Sequence, residues 1–258
     1  MSTLALTVRD STTMLRRDFT HSRRNLMMTI SGIAVPVFMM LLFVGVFGGA
    51  IGGSGSGSDY VDYLTPGIII MAAGAGSAAT AIKICQDMAE GIISRFRTMD
   101  IARSSILIGQ VIGSVVRTVV SGALVIGLAL LLGFSPQASF GDWVAVLGVY
   151  VLLTFAVTWL AVCFGLKAAT PAGANSLSLI LQFLPFISSA FVPTGSMSGP
   201  VRWFAENQPY TPVIETIRGL LMGTPIGNSA VLTVVWCVVL SLIGFLWARK
   251  QYNRPRAT

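Results

Sequence analysis

The sequence predicts an all-α polytopic membrane protein: six transmembrane helices, an N-terminal amphipathic helix at the membrane interface, and a re-entrant pair of outer helices before the last span. Three observations predict it. The 258 residues are 54% hydrophobic and only 10% charged, with a mean hydropathy of +0.78, a composition remote from that of soluble domains. The apolar residues gather in long runs bounded by charge, each run of a length suited to crossing about 30 Å of hydrocarbon. The basic residues also segregate. With the N-terminus placed in the cytoplasm, 15 of the 17 Lys and Arg fall on the inner side and five of the ten acids fall outside, giving +10 against −3. Positive charge collects on the cytoplasmic side of membrane proteins, so both termini are expected in the cytoplasm of a plasma-membrane protein. Topology thus accounts for the formal charge of +7, and no nucleic-acid partner is expected.

Residues 1–25 form the first expected unit. Arg9, Arg16, Arg17, Arg23 and Arg24 accompany Leu4, Val8, Leu15 and Phe19 on one helical face. That is the pattern of a basic amphipathic helix lying on an anionic leaflet. The single histidine, His21, is expected there as a surface polar residue. The rest of the chain, 26–258, is expected to be one transmembrane domain with spans at 26–47, 63–82, 106–134, 143–166, 176–192 and 230–248.

Span one is free of charge, is too long for a signal-peptide core, and carries Pro36, which is expected to kink it. Gly48 to Asp59 then reads as a flexible link. No Lys-Ser or Lys-Thr follows its glycines, so it is not a phosphate cradle. Span two is expected to open with the turn Tyr63-Leu64-Thr65-Pro66-Gly67. It carries a small-residue face (Ala72, Ala73, Gly74, Gly76, Ser77, Ala78, Ala79) that lets another helix approach closely.

Asp87 to Arg103 is a charged island holding six of the 27 charged residues. At about 2.5–3.5 kcal/mol for each charge at a bilayer centre, it is expected to be a loop in water or against a protein partner. Span three is interrupted by Arg117, expected to snorkel toward water. Ser135 to Asp142 is a short turn before span four, which Trp143 anchors at the interface and Lys167 closes. Lys167 to Asn175 reads as a turn, span five is broken by Pro185, and span six ends in Trp247 and a basic tail.

Between spans five and six, Pro193 to Gly227 is too long for a turn and holds two short helical patterns. Val201, Phe204 and Ala205 share one face; Val213, Ile214, Ile217, Leu220 and Leu221 share another. Opposite charges sit at helical spacing in both, Arg202 with Glu206 and Glu215 with Arg218. Two helices dipping into the outer leaflet are expected here.

The sequence offers little chemistry. Cys85, Cys163 and Cys237 lie in separate apolar runs with no metal or redox spacing, and there is no nucleophile motif, phosphate loop or metal cluster. No catalytic residue, bound cofactor or metal is expected, and the chain is not expected to be an enzyme. A proton-coupled carrier would place an acid or histidine near mid-membrane, and no such residue is present. Transport that survives ATP depletion and collapses with the proton gradient would establish that alternative. A second alternative is a non-transporting anchor or assembly subunit, for which an associated ATPase would hydrolyse ATP without regard to this chain.

The order of parts resembles the permease subunit of type-2 ABC exporters, in particular the daunorubicin-resistance permease group. The likeness is carried by the basic N-terminal helix, the six spans, the loop EGIISRFRTMDIARSSILIGQVIG and the outer segment FVPTGSMSGPVRWFAENQPYTPVIETIRGLLMG. It implies that the loop forms a coupling helix for a separate ATPase subunit, present in two copies and carrying Mg-ATP. A second permease copy or homologue, membrane lipid, and an amphipathic drug-like or lipid-like cargo complete the implied assembly. The coupling role falls by resemblance on Glu90, Gly91, Ile92, Arg95, Phe96, Arg97, Asp100 and Arg103. The outer gate falls on Pro193, Met197, Arg202, Glu206, Asn207, Pro209, Glu215 and Arg218. The family often has a proline where this chain reads Met99-Asp100, and a Met-Pro pair where it reads Met197-Ser198-Gly199-Pro200. The loop residues fit the implied role: Glu90 suits a basic groove edge, Arg95 and Arg97 an acidic one, and Ile92, Ile93 and Phe96 form an apolar anchor.

Overall fold

The computed structural model describes residues 26–47, 57–91 and 103–252, and all regular structure among them is helical. In chain order the helices are α1 (Leu26–Leu42, continued by a π-helical turn Phe43–Phe47), α2 (Gly57–Ala89), α3 (Arg103–Leu131), α4 (Phe140–Lys167), α5 (Pro171–Phe183), α6 (Gly199–Asn207), α7 (Tyr210–Met222) and α8 (Ser229–Tyr252). By length and composition, α2, α3, α4 and α8 are able to cross a membrane, while α1 and α5 supply shorter apolar helices. The expected amphipathic helix 1–25, most of the 48–59 link and the tail beyond 252 lie outside the described residues.

α2 is the central element, packed against α1, α3, α4 and α5, while α8 lies on α4 and α7 is lodged among α2, α4 and α8. The small-residue face of α2 is what admits these neighbours. A Cβ on Gly74 would stand 2.9 Å from the Leu181 carbonyl of α5, and one on Gly76 would meet the Thr118 hydroxyl of α3. Two larger apolar clusters result. One gathers Ile68, Ile69, Tyr150, Leu153, Val213, Ile214 and Ile217 around the α7 end; the other joins Ile84, Leu107, Val111, Trp159, Val162 and Leu166 toward the opposite end.

Several boundaries differ from expectation. α1 and its π turn cover the first expected span, with Pro36 inside the helix. Span two has no opening turn. Its helix begins at Gly57, inside the expected link, and runs through Thr65-Pro66-Gly67 to Ala89. Pro66 costs one backbone hydrogen bond, which buried packing on all sides offsets. Gly67 is there for contact and not for a turn, since a Cβ on it would lie 2.7 Å from the Ala190 Cβ. The same extension places Asp87 within α2, so the charged island is not wholly a loop.

The expected 167–175 turn is mostly helix. Thr170 caps α5 by accepting from the Gly173 N–H at 3.2 Å, and Pro171 occupies the first turn, where its missing N–H is harmless. α5 then yields to a 3-10 turn, Leu184–Ile187, at Pro185, so the expected fifth span 176–192 is not one continuous helix. α4 starts earlier than expected, at Phe140, because Ser139 and Asp142 form a reciprocal capping box.

Candidate functional site at the two ends of α2

The residues singled out by the sequence fall at opposite ends of α2. At one end the helix closes at Gly91, whose φ of +70° is a left-handed conformation natural to glycine. The Glu90 N–H still donates to the Gln86 carbonyl at 2.9 Å, and the Glu90 side chain is exposed. One turn earlier, the Asp87 carboxylate accepts from Gln110 Nε2 of α3 at 2.6 Å, which joins the helices on either side of the island. Ile92, Arg95, Phe96, Arg97 and Asp100 lie outside the described residues, and Arg103 opens α3.

Midway along α2, hydroxyls link three helices. Thr80 Oγ1 donates to Ser114 Oγ at 2.7 Å, and Ser114 Oγ lies 3.5 Å from Thr158 Oγ1 of α4. Tyr150 Oη donates to the Thr118 carbonyl at 3.2 Å. In an apolar interior these bonds fix helix rotation, because an unmade one leaves a bare polar group.

At the other end lie α6 and α7. Pro193 and Met197 flank a 3-10 turn, Thr194–Ser196, and the Met197 N–H donates to the Thr194 carbonyl. The expected pair between Arg202 and Glu206 is present at 2.7 Å on the exposed face of α6. Asn207 Nδ2 donates to the Trp203 carbonyl at 2.8 Å, and Pro209 sits in the corner between the helices. The five apolar residues expected to share a face on α7 are buried or half-buried. On α6 only Ala205 is buried, while Val201 and Phe204 face outward with Trp203.

The expected Glu215–Arg218 pair does not form. Glu215 accepts instead from Ser229 Oγ of α8 at 3.0 Å. Arg218 points back to α2: its Nη2 donates to the carbonyls of Tyr63 at 3.2 Å and Ser189 at 2.7 Å, and its guanidinium carbon lies 4.0 Å from the Tyr63 ring centroid. The correction follows from burial, since α7 is enclosed and its arginine reaches the nearest backbone acceptors.

Around Arg218 the structure adds residues that the sequence did not single out. Tyr63 Oη donates to the same Ser189 carbonyl at 3.0 Å. Gln208 Nε2 donates to the Ile187 carbonyl at 3.0 Å, and Thr211 Oγ1 to the Ala205 carbonyl at 2.5 Å. A neutral polar residue inside an apolar run is the signal that marks Ser189 and Gln208. By contrast, nothing local reveals that Tyr63 lies beside a residue 155 positions away.

The ABC-2 type transporter family matches residues 10–222 of this chain. The chain is similar to a daunorubicin resistance ABC transporter permease protein of Streptomyces coeruleorubidus, 29% identical over 193 residues that cover 74% of this chain and 68% of that protein. It is also similar to a probable doxorubicin resistance ABC transporter permease protein of Mycobacterium tuberculosis, 25% identical over 88% of this chain and 83% of that protein. A third relative, nodulation protein J of Azorhizobium caulinodans, is 24% identical over 86% of this chain and 88% of that protein.

Proposed function

The chain belongs to the ABC-2 type transporter family, and from that membership we propose that it is the transmembrane subunit of an ATP-driven exporter of amphipathic, drug-like or lipid-like molecules. It works beside a separate ABC ATPase, in two copies with Mg-ATP bound there, and beside a second permease copy or homologue. It crosses the plasma membrane six times, with α1 and α5 as the two shorter spans and both termini in the cytoplasm. The α6–α7 pair dips into the outer leaflet as the exit gate.

The observation that carries this reading is the course of α2. Its 33 residues make a rod about 50 Å long at about 1.5 Å per residue. One end carries Glu90 and Gly91 into the island; the other carries Tyr63 under Arg218 of α7. A push delivered to the island by ATP-driven closure of the partner therefore reaches the gate without passing through a flexible link. Glu90, Arg95, Arg97, Asp100 and Arg103 supply the charged docking contacts; Ile92 and Phe96 supply the apolar anchor, and Gly91 the bend between rod and anchor. The names of the two drug-resistance relatives support a small amphipathic cargo. Apolar spans suit such a cargo better than a long hydrophilic chain.

The test is Glu90→Lys, made in the complex. Insertion and expression stay normal, while the ATPase detaches or hydrolyses ATP without transport. Unchanged assembly and transport would remove the island from the mechanism.

A further inference from the structure

We propose that Arg218 is the catch of the exit gate, a positioning residue that ties the α6–α7 pair to α2 and to the 188–190 turn when the gate is closed, and lets go when it opens. This deepens the gate reading and rests on it.

Three segments distant in sequence meet on one oxygen atom. The Ser189 carbonyl accepts both from Arg218 Nη2 of α7 at 2.7 Å and from Tyr63 Oη of α2 at 3.0 Å. The second bond from Nη2 goes to the Tyr63 carbonyl, and the guanidinium lies over the Tyr63 ring. Close packing removes slack from the joint: the turn sits so tightly on α2 that Gly67 has no room for a Cβ against Ala190. Moving α7 relative to α2 must break these bonds together.

The groups in direct contact with the guanidinium are all neutral. The carboxylate nearest in sequence, Glu215, bonds to Ser229 on α8 and attracts the guanidinium only from beyond ion-pair distance. A permanently buried arginine is normally locked by a carboxylate in a forked ion pair. Carbonyls and one ring hold the charge more weakly and release it more readily.

The experiment uses the full chain assembled with its ATPase in right-side-out vesicles, with Ser189→Cys as reporter and a membrane-impermeant maleimide as probe. Ser189 contributes its backbone carbonyl to the catch and its side-chain oxygen to nothing, so the reporter leaves the joint in place. The parent chain without the reporter is the blank, since Cys85, Cys163 and Cys237 are buried. Labelling is expected to be slow at rest and faster with Mg-ATP and vanadate. Arg218→Gln raises the resting rate about fivefold or more and abolishes the nucleotide response, while Arg218→Lys, which keeps the charge but not the fork, falls between. A nucleotide response in the Ser189→Cys chain, with the resting rate of the Arg218→Gln, Ser189→Cys chain within about twofold of it, overturns the catch alone. No nucleotide response in the Ser189→Cys chain overturns the gate reading, and the catch with it. A merely structural role is separated by Gly165→Ala, whose Cβ would press on the Ala81 carbonyl away from the catch: if Arg218→Gln raises labelling no more than Gly165→Ala does for the same loss of melting temperature, the catch is overturned.

Discussion

Gly165 of α4 lies so close to Ala81 of α2 that a Cβ on the glycine would stand 2.5 Å from the Ala81 carbonyl oxygen and 3.1 Å from the Ile84 Cβ. Backbone cannot yield as a flexible side chain can, so Gly165→Ala forces the two central helices apart. The expected cost is about 1–3 kcal/mol, the range for overpacking a fitted interior. Thermal unfolding in detergent measures it. Gly148→Ala on the same helix is the control, because no atom lies within 4 Å of the added Cβ. That substitution is expected to be neutral or stabilising by up to about 1 kcal/mol, the helix preference of alanine over glycine.

The hydroxyl chain through Thr80, Ser114 and Thr158 gives a second expectation. Ser114→Ala removes the shared member: Thr80 Oγ1 keeps the Gly76 carbonyl at 3.1 Å as an acceptor, while Thr158 loses its contact across the helices. Hydrogen bonds between membrane helices average about 0.6 kcal/mol and reach about 1.7. Ser114→Ala is therefore expected to cost about 1–2 kcal/mol, with a coupling to Thr80→Val of about 0.5 kcal/mol or more in a double-mutant cycle. Additive effects would mean that the 2.7 Å contact contributes nothing measurable.

Most of this fold was legible because its signals are long and redundant. The charge-free runs at α1, α4 and α8 found their helices, and the helical spacing of Val213, Ile214 and Ile217 found the buried face of α7. What misled was local chemistry overruled by packing. Thr65-Pro66-Gly67 reads as a turn, yet buried on all sides it continues α2; Thr170-Pro171 reads as a loop, yet serves as cap and first turn of α5. The site was legible in part. Arg218 was singled out with the wrong partner, because i,i+3 spacing is visible in a sequence and a carbonyl 29 positions back is not.

The ion pair between Arg202 and Glu206 should matter little. Its side chains are 52% and 42% exposed, so water and salt screen the attraction. Glu206→Ala is expected to change stability by no more than about 0.5 kcal/mol. A change above about 1 kcal/mol would imply that the pair is desolvated in the assembly, against lipid or a partner.

Trp203 provides the sharpest check on where α6 lies. The helix buries Ala205 alone and turns Val201, Trp203 and Phe204 outward, Trp203 being 68% exposed. An apolar face of this kind is costly in water, and tryptophan prefers the boundary between hydrocarbon and headgroups, where its ring is buried and its N–H stays wet. If α6 dips into the leaflet, Trp203 fluorescence is quenched by lipids brominated near the headgroup end of the acyl chain and is shielded from aqueous acrylamide. The measurement needs Trp143, Trp159, Trp236 and Trp247 replaced by Phe, with expression and melting temperature checked first. Strong acrylamide quenching with no effect of brominated lipid would make the α6–α7 pair a cap in water and remove its re-entrant geometry. Shielding from both quenchers would place Trp203 against protein, as it would be if the second permease copy covered this face.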